Sequence, residues 1–236
     1  MLIMKIKSQY VLFLLIIAGI ASCKKDNYSP PSSTLQGRLV YNGDSIGVER
    51  NQVTYELYQY GFGKVGAIAS TFAQNGTYSS LLFDGNYKFI IPNGQGPFMW
   101  KQTTSGAPDS MAITMSGNQN LDIQVTPYYM IRNPQITGSG TNVTATFKAE
   151  KIITDANAKD IERVSLYINK TQFVSGGDNI AATDMSGSAI TDMNNISLTV
   201  GIPTIVPTQN YVFARIGLKI SGVEDMLFSP VTRIQF

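Results

Sequence analysis

Short runs of alternating apolar and polar residues, broken by glycine turns about every 8–12 residues, most restrict the fold of this chain. Asn51 to Tyr60 shows the pattern. Val53, Tyr55 and Leu57 fall on one face of a strand, and Thr54, Glu56, Tyr58 and Tyr60 on the other. Gly61-Phe62-Gly63 then ends the run. Asn42-Gly43, Asn75-Gly76 and Asp84-Gly85 are turn signals, because glycine takes positive φ at little cost. Asn75-Gly76 predicts a hairpin between 68–72 and 77–83, and Asp84-Gly85 a second one leading into 86–91. Further strands are expected at 111–115 and 120–125. No stretch of this half sustains a helical period.

The second half keeps the rhythm. Strands are predicted at 142–148, 161–169, 196–200, 211–220 and 231–236. Residues 155–160 read as a loop or one short helical turn. Residues 173–195 carry no clean period. Met130-Ile131-Arg132-Asn133-Pro134 cannot be a central strand, since proline lacks the ladder donor, and it reads as a link between domains. Arg215 alternates with core residues of 211–220 and is expected to pair with Glu162 or another acid. About seven short strands in about 110 residues suit an immunoglobulin-like sandwich. The expected fold is all-β, with one sandwich over 35–126 and a second over 127–236.

The start of the chain is different. Lys5 and Lys7 precede an unbroken apolar run from Val11 to Ile20, then Ala21 and Ser22, and then Cys23, the one cysteine. A basic start, an apolar middle and small residues at the cut predict a signal peptide over 1–22. The run is about half of the roughly 20 residues that span a bilayer. Ile20-Ala21-Ser22-Cys23 resembles the bacterial lipobox, which implies a lipidated Cys23 as the first mature residue and a membrane held through its acyl chains. Residues 23–34, polar and stiffened by Pro30-Pro31, read as a tether. Lys25-Asp26 partly resembles the charged tag that sends Bacteroidota lipoproteins to the cell surface. The expected location is the outer membrane, facing outward.

Composition removes several function classes. Charged residues are 14% of the chain. Without Lys5 and Lys7 the 18 basic residues fall to 16, matching 16 acids. No basic face for nucleic acid is visible. With no histidine, the commonest general base and transition-metal ligand are missing. Glu49, Glu56, Glu150, Glu162 and Glu224 are scattered and nominate no glycosidase pair. Asp178, Asp184 and Asp192 supply oxygen ligands of the type calcium takes, but in no calcium-loop pattern, and a solvated loop is expected. The chain reads as non-catalytic, with no cofactor.

Gly76-Thr77-Tyr78 followed by Gly85-Asn86-Tyr87 resembles the prealbumin-like or carboxypeptidase-regulatory module. Nearly the whole mature chain resembles a family of Bacteroidota surface lipoproteins encoded beside SusC/SusD-type outer-membrane glycan importers. The likeness rests on Gly85-Asn86-Tyr87-Lys88 with Gly96-Pro97-Phe98, on Thr126-Pro127-Tyr128, and on Ile161-Glu162-Arg163-Val164-Ser165-Leu166-Tyr167. It rests also on Phe213-Ala214-Arg215-Ile216-Gly217 ahead of Phe228-Ser229-Pro230-Val231. The resemblance implies a prealbumin-like domain followed by an immunoglobulin-like one, importer proteins as partners, and glycan capture. It implies no catalytic residues.

Sugar binding needs flat aromatic faces and amide or carboxylate partners. Tyr58, Tyr60, Phe62 and Trp100 are the candidates, with Lys101 and Gln102 beside the last. They form one weak site only if the loop at Gly61-Phe62-Gly63 and the loop 93–97 share an end of the first sandwich. The alternative is that these rings pack as core or under a loop. In that case the chain is a structural or interaction subunit of the importer complex with no sugar site.

Overall fold

In a computed structural model of the chain, residues 29–61 and 66–236 are described. Cys23 and Phe62, the segment read as a signal peptide and the first half of the tether lie outside the described residues. Ser32–Phe236 is one compact unit. Among its described residues the regular structure is strand, apart from the 3-10 turn Gly187–Ala189.

The first sandwich has two sheets. One is built on Ser33–Tyr41, which pairs antiparallel with Thr77–Leu82 and Asp44–Ser45, and parallel with Gln119–Asn120 and Ile123–Gln124. The other runs Ala67–Thr71, Thr54–Gln59, Gly85–Ile90, Met111–Met115, antiparallel throughout. Period-2 alternation delivers the core: Leu35 and Leu39 from one sheet meet Tyr55, Leu57, Tyr87 and Phe89 from the other. Tyr55 stacks on Phe89, with centroids 5.1 Å apart, and meets Tyr78 edge-on at 5.3 Å. Aromatic pairs of this geometry contribute about 0.5–1.5 kcal/mol each beyond their buried area. Position 37 has to be glycine, because a Cβ there would lie 2.0 Å from the Leu121 carbonyl oxygen.

The Asn-Gly and Asp-Gly turns form, but two of them do not close hairpins. Thr77–Leu82 pairs with Ser33–Tyr41, whereas Ala67–Thr71 and Gly85–Ile90 lie in the opposite sheet. A positive-φ glycine reverses the chain; it does not choose the partner strand. At Gly76 (φ +79°) the corner is held against another segment, with the Gly76 carbonyl oxygen accepting from Leu39 N at 2.8 Å. Asn42-Gly43, both at positive φ, does join paired strands. The strand expected at 120–125 splits in two around Leu121.

The second sandwich packs Tyr129–Ser139, Asn142–Lys151 and Ile196–Gly201 against a larger sheet. The larger sheet runs Ala181–Ser186, Ile161–Asn169, Tyr211–Ile220, then Leu227–Phe228 and Thr232–Gln235 on the far side. The expected link at 130–134 is instead part of the edge strand Tyr129–Ser139. Its register shifts between Arg132 and Gln135, and Asn133 sits at φ +50°. Pro134 is tolerated because it lies in that bulge on an edge. The connection is made by Thr126–Pro127, which pairs with Phe98–Met99.

Candidate functional site: a groove between the sandwiches

Of the four predicted aromatics, Phe62 lies outside the described residues, and Trp100 does not come together with Tyr58 and Tyr60. Thr54 N and Oγ1 donate to Gln95 Oε1 at 2.9 and 3.0 Å, which puts loop 93–97 at the start of Thr54–Gln59. Gly61 follows the other end of that strand, about 20 Å away at 3.3 Å per residue. Trp100 is 8% exposed. It packs on Phe89 at 6.1 Å, and its indole Nε1 donates to the Asp109 carbonyl oxygen at 2.7 Å. Tyr58 and Tyr60 point the opposite way from Val53, Tyr55 and Leu57, which are wholly buried. Tyr60 is 54% exposed with the Lys88 ammonium 5.4 Å from its ring. Tyr58 donates to Glu56 at 2.7 Å, and that bond raises its pKa. Trp100 therefore belongs to the core side of this sheet and the two tyrosines to its outer side.

What the fold does build is a junction. Phe228 N donates to the Gly47 carbonyl oxygen at 3.0 Å, bridging the sandwiches. Gly47 has to be glycine here, since a Cβ would lie 2.5 Å from the Phe228 carbonyl oxygen. Above that bridge lies Arg215, 1% exposed. Its Nε donates to the Ser229 carbonyl oxygen at 2.8 Å, and its Nη1 to those of Val48 at 3.2 Å and Val174 at 3.4 Å. Its Nη2 donates to the Gln74 carbonyl oxygen. The guanidinium stacks on Phe228 at 4.3 Å. Among the described residues no acid forms an ion pair with it, and Glu162 pairs instead with its neighbour Arg163 at 2.9 Å. Burial pushes the Arg215 pKa down to about 9, with the charge of Glu49 opposing. Four carbonyl acceptors do here what one carboxylate was expected to do, satisfying a buried cation.

Other contacts fix the same joint. Arg132 binds Glu150 at 2.6 Å and also reaches Asp44 of the first sandwich. Gln74 Nε2 donates to the Gln172 carbonyl oxygen at 3.0 Å, and Gly96 N to Asp225 at 2.7 Å. Gly96-Pro97-Phe98, Phe213 to Gly217 and Phe228 to Val231 all lie at this joint or flank it. The motifs that carry the family likeness are thus largely motifs of domain packing.

Beside the joint runs an open groove of about 1190 Å³. Its floor is the outer face of the first sandwich, where alternation leaves Gln36, Arg38, Thr77, Ser79, Asn120 and Asp122 exposed. Its wall is Phe173, Pro230 and Val231 of the second. Arg38 pairs with Asp122 at 3.2 Å. Arg50 lies 4.1 Å over the Phe173 ring. Amides, hydroxyls and an aromatic wall are the groups that sugar hydroxyls and ring faces need. Sequence reasoning missed this site because Phe173 lies in the segment without a period. The polar floor residues looked like ordinary solvent-facing positions; the signal was their sharing one face.

A smaller cleft of about 530 Å³ lies beside Trp100, lined also by Gln102, Gln124, Asp155 and Asn157. The Lys101 ammonium sits 5.7 Å from the Trp100 ring, and little of the ring is left for stacking. Asp178, Asp184 and Asp192 are not gathered: among the described residues no three metal-ligating side chains of the His, Cys, Asp or Glu type come together.

Two family models match the chain. "Protein of unknown function (DUF3823) N-terminal domain" matches residues 33–126, and "Domain of unknown function (DUF3823_C)" matches residues 129–233. Solved structures resemble it over its length. A DUF3823 family protein from Parabacteroides merdae is 30% identical with a TM-score of 0.76, covering 88% of this chain and 100% of its own. One from Bacteroides ovatus is 27% identical with a TM-score of 0.75, covering 86% and 99%. A Bacteroides uniformis protein, provisionally described as a carbohydrate binding protein, is 19% identical with a TM-score of 0.67, covering 87% and 100%. That last likeness is one of fold. A comparison with curated proteins returns no match.

Proposed function

The chain belongs to the DUF3823 family, and on that premise we propose that it is a non-catalytic lipoprotein of the outer membrane that captures glycan in the groove between its sandwiches. It works beside a SusC/SusD-type importer. The observation that carries this reading is the groove itself: a wide concavity with a floor of exposed amides and hydroxyls and an apolar wall, held open by a buried joint. The provisional description of the Bacteroides uniformis relative agrees with it at the level of a shared fold.

The expected affinity is low. Each hydrogen bond to a floor group contributes about 0.5–1.5 kcal/mol net. A handful of these, with one apolar contact, gives about 5 kcal/mol, a sub-millimolar constant. Weak capture suffices on a tether, because anchoring beside an importer raises the effective concentration. Anchoring rests on Cys23, so Cys23→Ala should leave the membrane fraction; unchanged partition into detergent would contradict it. Calorimetric titration with importer-relevant oligosaccharides tests the groove. Gln36→Ala with Asn120→Ala should abolish binding, while Tyr60→Ala should leave it intact.

A second reading, an importer subunit that binds no sugar, draws on the burial of Trp100 and on family motifs that serve the joint. It predicts co-purification with importer proteins and silence in every titration.

A further inference from the structure

Resting on the groove as the glycan site, the geometry points to a narrower ligand class: we infer that the groove selects anionic glycans, with Arg50 as the residue that reads a carboxylate or sulfate on the sugar. Three guanidinium groups and one carboxylate line the groove: Arg38, Arg50, Arg215 and Asp122. Arg38 and Asp122 neutralise each other at 3.2 Å, and Arg38 also donates to Ser45. The donors of Arg215 are taken up by backbone carbonyl oxygens. Arg50 differs from both. It is exposed, and among the described residues its N–H groups have no hydrogen-bond or ion-pair partner.

Yet it is held. Its guanidinium lies 4.1 Å over the ring of Phe173, across the boundary between the sandwiches. Stacking occupies the face of a guanidinium and leaves the donors around its edge free. A fork held in this way loses little side-chain freedom when an anion arrives, and two parallel N–H bonds match a carboxylate or a sulfate. Neutral sugars would gain less, because a hydroxyl oxygen can accept from the fork but brings neither a charge nor two parallel acceptors. Asn51, next in the chain, lines the groove with it and can take neighbouring hydroxyls.

A glycan array carrying neutral, uronate and sulfated oligosaccharides, probed with the full chain in detergent, tests the inference. Hits are expected among the anionic sugars, and the uronate and sulfate arms say which anion is preferred. Titration then compares an oligogalacturonide with its methyl ester, which has the same sugars and no charge. The free acid should bind at least about tenfold more tightly, with the gap narrowing as salt is added. Arg50→Gln should erase the gap, and Arg50→Lys should keep only part of it. A thermal melt of each variant confirms folding, which is expected because Arg50 is exposed. Equal binding of acid and ester, or hits confined to neutral glycans, overturns the inference and leaves the groove reading standing. No glycan bound at all overturns both. Capture of acidic peptides in place of glycans also overturns both.

Discussion

Arg215, on a strand of the second sandwich, donates a hydrogen bond across the joint to the carbonyl oxygen of Val48 in the first, at 3.2 Å. With Gln74 on the same guanidinium, two segments of the first sandwich hang on one buried side chain of the second. A buried cation without partners would cost far more than it returns. Here every acceptor is a backbone carbonyl, and among the described residues only that of Gln74 has a second donor, Val48 N at 3.2 Å, so the cation and the joint satisfy one another.

Removing that side chain should therefore cost more than its packing. Arg215→Ala is expected to destabilise the chain by about 3–5 kcal/mol, through unpaired carbonyls and a void. Arg215→Lys keeps the charge, but one ammonium cannot reach four acceptors, so it should recover only part of this. Urea unfolding measures both. Loss of the joint should also split one cooperative transition into two, and a single unshifted transition in Arg215→Ala would contradict the account.

Trp100 should be silent to sugars. Its indole is committed to the Asp109 carbonyl oxygen and its ring to Phe89. Trp100→Phe should cost about 1–3 kcal/mol by leaving that half-buried carbonyl without its donor and should leave glycan affinity unchanged. Denaturant unfolding and titration of the variant check the two halves. A large loss of binding without loss of stability would restore Trp100 to the site.

Asp225 gives the joint a dependence on pH. Burial raises its pKa, against the lowering effect of the Gly96 N–H that it accepts. A carboxyl whose folded pKa lies above its unfolded value of about 3.9 contributes stability that is full below that value. The contribution is lost as the pH rises through the folded pKa. Asn at this position can still accept from Gly96 and has no charge to bury. Asp225→Asn should flatten the stability profile just above the ordinary carboxylate range without lowering stability at neutral pH. Thermal midpoints from about pH 4 to 7 would show it, and an unchanged slope in the variant would refute it.

Much of the fold was legible because alternation is a local signal. Val53, Tyr55 and Leu57 against Tyr58 and Tyr60 can be sorted without knowing what lies opposite. The same signal misplaced Arg215. Period 2 assigns it to the face away from Ala214 and Ile216, and nothing local says that this face is covered by another sandwich. Gly76 and Gly85 likewise announced turns, but partner choice depends on strands distant in sequence, such as Ser33–Tyr41. The groove was hidden for a related reason. Gln36, Thr77 and Asn120 are far apart along the chain, and only pairing of their strands puts them on one floor. The aromatic residues drew attention instead, although a lone tryptophan is heavily buried on average.

Hydrogen–deuterium exchange of the full chain, with and without the tightest glycan from the array, tests the central claim most directly. The account predicts slowed exchange at the groove, in the segments around Gln36 and Arg38, 73–79, and Phe173 with Val231, and no change around Tyr58 and Tyr60. Protection confined to the outer face of Thr54–Gln59, or to the cleft beside Trp100, would contradict it.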